Sequence, residues 1–313
     1  MLNKEKNFVS AVVYVHNAEN RIEEFLDVVI KTLESNFEHS EVICVNDCSD
    51  DKSAQKIENV SKRAVSASVS IINMSYFHGL EMAMDAGRDL TIGDFVFEFD
   101  NTCLDFSPEV IMEIYNKSLT GYDIVSASAN RKEKLSSKVF YRVFNRFSEL
   151  KYNMTTESFR VMSRRVINRI SSMNKTIPYR KASYLESGLK TANIKYEVVN
   201  SVMKSVDARE TRYRASLAVD SLIMFTEVGY RFSFFMTFFM MLISLFMVIY
   251  TCIVYIIGHP IEGWTTMVLF LSVGFLGVFG IMTIMIKYLQ IIVDMVFKRK
   301  HYSFESIEKL TTY

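Results

Sequence analysis

The sequence predicts an α/β domain built on a mainly parallel sheet with helices on both faces, followed by a hairpin of two membrane-spanning helices. Three observations predict it. Short apolar runs alternate with stretches of helical period as far as Asp100. Polar clusters close three of those runs. Beyond residue 231, two long segments carry no charged residue.

The first apolar run, Phe8 to Val15, is of strand type, and Asn17-Ala18-Glu19-Asn20 closes it. From Arg21 the period becomes helical: Ile22, Phe25, Leu26, Val29, Ile30 and Leu33 fall on one face. Glu41 to Val45 reads as a second strand, ending in Asn46-Asp47-Cys48-Ser49-Asp50-Asp51. A helix follows over Lys52 to Arg63, then a third strand over Val69 to Asn73. Gly79 to Leu90 reads as a helix with Gly87 inside it, and Phe95 to Phe99 as a fourth strand ending in Asp100. Ligands of such sheets bind beyond the carboxyl ends of the strands. Asn17, the Asp47–Asp51 group and Asp100 all fall there, and carboxylates so placed suit a ribose, a base or a metal.

The spans are Phe232 to Ile257 and Trp264 to Ile286, the second extending at most to 297. A helix over the first is about 39 Å long against a hydrocarbon core of about 30 Å. The turn between them has no Lys or Arg, whereas Arg209, Arg212, Arg214 and Arg231 precede the hairpin and Lys298, Arg299 and Lys300 follow it. The positive-inside rule then places both ends in the cytoplasm of an inner-membrane, multi-pass protein. The expected organisation is a cytoplasmic domain over 1–208, a basic amphipathic juxtamembrane segment over 209–231, the hairpin within 232–297, and a cytoplasmic tail over 298–313. Leu217, Leu222, Phe225 and Val228 of the juxtamembrane segment are expected to face lipid or core. Gly274, Gly277 and Gly280 would let a neighbouring helix approach, in this chain or in a homo-oligomer.

A formal net charge of +1 gives no global field for nucleic acid. The four cysteines form no CxxC pair, and the polar amino terminus reads as no signal peptide. The chain has no GxGxxG after its first strand, no GxxxxGK[ST], no GxSxG and no HExxH.

These residues resemble glycosyltransferase family 2, in the branch of dolichyl-phosphate mannose synthase and the undecaprenyl-phosphate glycosyltransferases. The strand ending at Asn17 and Glu19 is similar to the family's P-x-Y-N-E-E, and Asn46 to Asp51 to its D-D-G-S-T-D. Ser75 to Gly87 resembles S-R-N-x-G-x-x-A-A-x-x-A-G, and Gly93-Asp94-Phe95 to Asp100 the strand leading into D-x-D. Phe159 to Val166 resembles F-R-L-M-S-R-R-V, and Thr211-Arg212-Tyr213 the S-K-Y run. The resemblance implies a GT-A-like, Rossmann-related fold, a nucleotide-diphosphate-sugar donor, a divalent cation (Mg2+ or Mn2+) and a polyprenyl phosphate acceptor. It places Asn17, Glu19, Asp47, Asp51 and Gly79 at the donor nucleotide, and Asp100, Glu157 and Arg160 at the chemistry. It makes Asp100 the metal ligand and Arg131, Arg160, Arg164 and Arg212 holders of phosphate.

The chain departs from the family pattern at Tyr14, His16, Ala18, Asn46, Ser158 and Arg209, and most of all at Thr102, where the second D-x-D carboxylate is absent. Glu157, beside Ser158, is the acid nearest the expected position. The expected activity is inverting transfer of a hexose to a polyprenyl phosphate for cell-surface glycan synthesis. Two alternatives stay open. One is another lipid-linked or glycan acceptor, whose hydroxyl would need Glu157 or Asp105 as base. The other is a catalytically degenerate membrane partner subunit.

Overall fold

The computed structural model describes residues 4–131, 135–147, 153–173, 179–199, 208–225, 304–309 and 311, with isolated helical positions between 232 and 292. An eight-stranded sheet runs β7-β5-β6-β4-β1-β2-β3-β8. Its parallel centre is β1 (Val9–Val15), β2 (Ser40–Asn46), β3 (Ser68–Met74) and β4 (Phe95–Phe99). The connecting helices are α1 (Ile22–Asn36), α2 (Ser53–Ser61) and α3 (Leu80–Asp89). These are the predicted elements, shifted at their ends by three residues or fewer. The second helix starts after Lys52 because the Asp51 carboxylate accepts from the Ser53 amide at 2.9 Å, a bond typical of a helix start.

The two faces of the sheet follow the period of two along each strand. Val9, Ala11, Val13 and Val15 join α1 and α2 on one face, with Phe97 and Phe99. Val12, Tyr14, Val45 and Val96 join α3 on the other. Helix α1 buries the six apolar residues of its predicted face and carries Glu23 and Glu24 in its first turn, where the helix dipole favours them. Gly87 lets α3 lie close on the sheet, because a Cβ there would run into Val12 and Val45.

The second half interrupts the parallel order. After α4 (Glu109–Leu119), β5 (Ile124–Ala129) is followed by α5 (Leu135–Phe147) and β6 (Phe159–Ser163). Strand β6 lies antiparallel between β4 and β5. Helices α6 (Arg164–Met173) and α7 (Arg180–Glu186) lead to β7 (Thr191–Tyr196), parallel to β5. Helix α8 (Ala208–Phe225) occupies much of the predicted amphipathic segment.

The carboxy-terminal region is more than a tail. Strand β8 (Phe304–Lys309) pairs antiparallel with β3, so the sheet is completed from beyond the expected domain boundary at 208. The two expected spans lie largely outside the described residues. Among the described residues no helix is long and apolar enough to cross a membrane.

Phe99 ends β4 one residue before Asp100 and stacks on Phe159 at 5.2 Å, with Phe25 edge-on at 5.4 Å. Phe99→Ala is expected to cost about 3–5 kcal/mol through the cavity it leaves, read as a lower urea midpoint with an unchanged slope.

Candidate active site

The carboxyl edge of β1 and β2 is held by reciprocal hydrogen bonds between two loops. The Asn17 side chain accepts from the Asp50 amide at 2.9 Å, and the Asn17 amide donates to Ser49 Oγ at 3.1 Å. The Glu19 amide donates to Asp51 at 2.9 Å, while the Glu19 carboxylate accepts from the Lys52 amide at 3.1 Å. Asn17 and Cys48 both take left-handed backbone, with φ of 47° and 53°. Asp47 is fully buried and accepts from the amides of His78 and Gly79 at 2.8 Å and from the Tyr14 hydroxyl at 3.0 Å. Burial pushes its carboxyl above the usual range against the pull of those bonds. Asp47, Asp51, Glu19 and Asn17 thus shape the loops with the side-chain atoms expected to meet a nucleotide. Asp47 anchors the loop after β2 to the amides at the start of α3 and has no exposed surface. Gly79, with φ of 82°, starts α3 under the ring of Tyr213 from α8.

A buried ionic network lies beside this edge. Alternation along β4 turns Glu98 and Asp100 to the same face as Val96, and alternation along β6 turns Arg160 to that face too. Glu98 and Arg160 are directly opposite in the antiparallel register. Arg160 donates to Glu98 at 2.7 Å, to Asp100 at 2.8 Å and to Glu157 at 3.1 Å. Arg180 of α7 reaches the same acids from above: Glu98 at 2.8 Å, Asp100 at 2.9 Å and Glu81 of α3 at 3.0 Å. Tyr184, one helical turn after Arg180, donates to Glu98 at 2.7 Å. Burial by itself would raise the Asp100 carboxyl, but Arg160, Arg180 and Lys181 together hold it well below the usual range. Glu98 is lowered against its burial by the same two arginines and Arg88, whereas burial keeps Glu81 raised.

A cleft of about 450 Å³ opens over Asp100. Its charged lining is Glu81, Asp100, Arg131, Glu157 and Lys181, and its apolar walls include Phe140 and Tyr141 of α5 and Leu217 and Ala218 of α8. Leu217 therefore faces this cleft, whereas Phe225 and Leu222 have no described side-chain environment and Val228 lies outside the described residues.

Several expected roles change. Arg160 is fully buried, its guanidinium donates to three acids, and it does not line the cleft. Arg164 follows the end of β6, at the amino end of β4, because the two strands run antiparallel; its guanidinium donates to the Gly93 carbonyl at 2.6 Å. That is the opposite edge of the sheet from Asp100. Arg212 is exposed on α8 and does not line the cleft. Arg131 does line it, 3.5 Å from Asp105. Asp105 itself is buried and accepts from the Tyr196 hydroxyl at 2.8 Å, which removes it as a base facing the cleft.

The residues at the D-x-D position do not fit a divalent cation in the way the resemblance implies. Each Asp100 oxygen already meets a guanidinium, and Thr102 adds no charge. Among the described residues no three His, Cys, Asp or Glu side chains gather as a metal-holding group. Glu98, Arg180, Tyr184, Glu81 and Lys181 were not predicted. Glu98 alone carried a signal, as an acid inside the run Phe-Val-Phe-Glu-Phe, since a buried strand rarely admits an unpaired charge.

Comparison with known proteins adds family and fold. The model of a family described as "Glycosyl transferase family 2" matches residues 10–171. An uncharacterized glycosyltransferase of Synechocystis is 29% identical over 195 residues, 60% of this chain and 60% of that relative's own length. A bactoprenol glucosyl transferase of Shigella phage SfX is 27% identical over 285 residues, covering 86% of this chain and 88% of that one. A crystal structure of glucosyl-3-phosphoglycerate synthase from Mycobacterium tuberculosis, in complex with Mn2+, uridine diphosphate and phosphoglyceric acid, matches with a TM-score of 0.50. It is 13% identical and covers 69% of this chain and 78% of that chain. At that identity the likeness is one of fold, and it agrees with the expected GT-A-like architecture.

Two predictions follow from the geometry. A Cβ at Gly79 would sit 2.5–2.8 Å from the Tyr213 ring on a left-handed backbone. Gly79→Ala is expected to cost about 1–3 kcal/mol, and adding Tyr213→Ala should recover the steric part but not the backbone part, as a double-mutant cycle would read. The second concerns pH. Because the folded state lowers the Asp100 pKa, the stability this carboxylate gives is present above its unfolded value of about 3.9 and is lost as pH falls toward the folded value. The stability gap between the native chain and Asp100→Asn should therefore be widest above about pH 5 and narrow on acidification. Melting curves across pH would show this, and a gap that stays constant would contradict it.

Proposed function

The chain belongs to glycosyl transferase family 2, and on that premise we propose that it moves a hexose from a nucleotide-diphosphate sugar to a polyprenyl phosphate at the cytoplasmic face of a membrane. The observation that carries this reading is the cleft over Asp100, which joins two cationic side chains, Arg131 and Lys181, to walls from α5 and α8. An isoprenoid phosphate has the same two parts, an anionic head and an apolar chain. The relative named bactoprenol glucosyl transferase, matched over most of both chains, supports the same acceptor class.

In this reading the nucleoside lies along the loops at Asn17 and Asp47–Asp51, and the sugar faces Asp100. An acceptor phosphate oxygen attacks the anomeric carbon opposite the leaving group. The bond from that carbon to the diphosphate oxygen breaks, its electron pair leaves with the nucleoside diphosphate, and the configuration inverts. The attacking oxygen is already anionic, so no base has to remove a proton. Arg131 and Lys181 hold the acceptor phosphate through charge-assisted hydrogen bonds. Arg160 and Arg180 fix Asp100 and, through Arg160, Glu157, so that their carboxylates are oriented before the substrates arrive. Phe140, Tyr141 and Leu217 take the first apolar units of the lipid.

The membrane hairpin is part of the proposal. Among the described positions, Phe232, Phe235, Phe239, Leu242 and Phe246 are exposed at helical spacing, as are Met267, Leu271, Val278, Met282 and Met285. A side chain at Gly277 would run into Met240, which supports close packing of the two segments. Strand β8 pairs with β3 after both of them, which supports an even number of crossings.

Membranes containing the protein, undecaprenyl phosphate and a panel of labelled nucleotide sugars test the reading. Label is expected in the organic phase for one donor. Lys181→Ala should slow transfer by about 10²-fold or more, as loss of a charge-stabilising group does. Nucleoside-diphosphate binding without any lipid labelling would reject the acceptor, and absence of both would reject the donor as well.

A further inference from the structure

Strand β8 does more than cover an edge. Ser306 stands opposite Asn73 in the β3–β8 register, where the pairing shifts at Asn73 and Met74. The Asn73 side-chain amide donates to Ser306 Oγ at 3.1 Å, and its carbonyl oxygen accepts from the Asn46 amide at 2.9 Å. The Asn46 carbonyl oxygen accepts from the backbone amide of Ser49 at 3.2 Å, and Ser49 Oγ accepts from that of Asn17. An unbroken line of hydrogen bonds thus runs from the carboxy-terminal strand across β3 and β2 to the loop after β1.

Both ends of its last link belong to loops with left-handed residues, Asn17 and Cys48, whose backbone persists only when neighbouring bonds impose it. Asn46 serves the line with both halves of its amide, donating to Asn73 and accepting from Ser49. A relay needs a donor and an acceptor on one side chain, and an amide supplies both.

We infer that Ser306 is a positioning residue for the nucleotide edge, so that the strand following the proposed membrane segment sets the geometry in which the nucleoside diphosphate binds. The ligand named here rests on the proposed function; the relay itself does not.

The test uses the full-length protein in detergent and compares Ser306→Ala, Ser306→Thr and Thr311→Ala. Thr311 Oγ1 accepts from the Val69 amide at 2.9 Å, at the far end of the same strand pairing, and so serves as a control for edge loosening alone. Ser306→Ala is expected to speed hydrogen exchange at the Ser49 and Asp50 amides by about tenfold and to weaken nucleoside-diphosphate binding by a similar factor, as loss of one hydrogen bond does. Ser306→Thr, which keeps the hydroxyl, should restore both. Thr311→Ala should speed exchange near Val69 and leave Ser49 and Asp50 unchanged. The inference is overturned if Ser306→Ala disturbs only β3 and β8. Exchange that follows the expected pattern in a protein that binds no nucleoside diphosphate would uphold the relay and reject the donor reading.

Discussion

Two guanidinium groups shared among four carboxylates organise this molecule. Arg160 and Arg180 are buried, and between them they bind Glu98, Asp100, Glu81 and Glu157. Removing two arginines from water is costly unless most of their donors are satisfied. Here they are satisfied by acids from α3, β4 and the segment before β6, so the network ties together elements that are far apart in sequence. It also decides which acids reach the cleft. Glu98 is wholly internal, while Asp100 and Glu157 keep a surface on the cleft.

The site has two halves with different physics. The nucleotide edge is a web of neutral and charge-assisted bonds in which side chains serve backbone amides. Asp47 illustrates this, with three donors and no exposure. The cleft over Asp100 is ionic on its floor and apolar on its walls, because α5 and α8 bring aromatic and aliphatic side chains over a charged sheet edge. Tyr213 links the halves: its ring covers Gly79 on one side and lines the cleft on the other. Burial keeps its hydroxyl protonated far above neutral pH, so it remains a neutral wall.

The parallel core was legible because its signals are local. Each apolar run from Phe8 to Phe99 has a strand's length and ends in residues that favour turns. The helix over Ile22–Leu33 shows its buried face in its spacing alone. The site was legible in part. Asp100 and Glu157, named by motif order, both line the cleft, and the carboxylates of Asp47 and Asp51 accept from backbone amides of the neighbouring loops. Arg164 was misplaced because a motif read along the chain does not reveal that β6 runs antiparallel, which carries its last residue to the far edge. Arg180, Tyr184 and Ser306 carried no signal, since nothing near them in sequence names their partners.

By itself, the sequence determined the alternation of strands and helices, the edge on which the acids gather, and two uncharged segments of membrane-spanning length. Those properties follow from periodicity and composition over a few neighbouring residues. Only the tertiary structure decided which acids are bound to arginine, which of them reach the cleft, and that strand β8 closes the sheet beside β3. Each of those depends on contacts between residues separated by tens to hundreds of positions, as between Asn73 and Ser306. Such contacts are fixed by strand order and register, which no local pattern encodes.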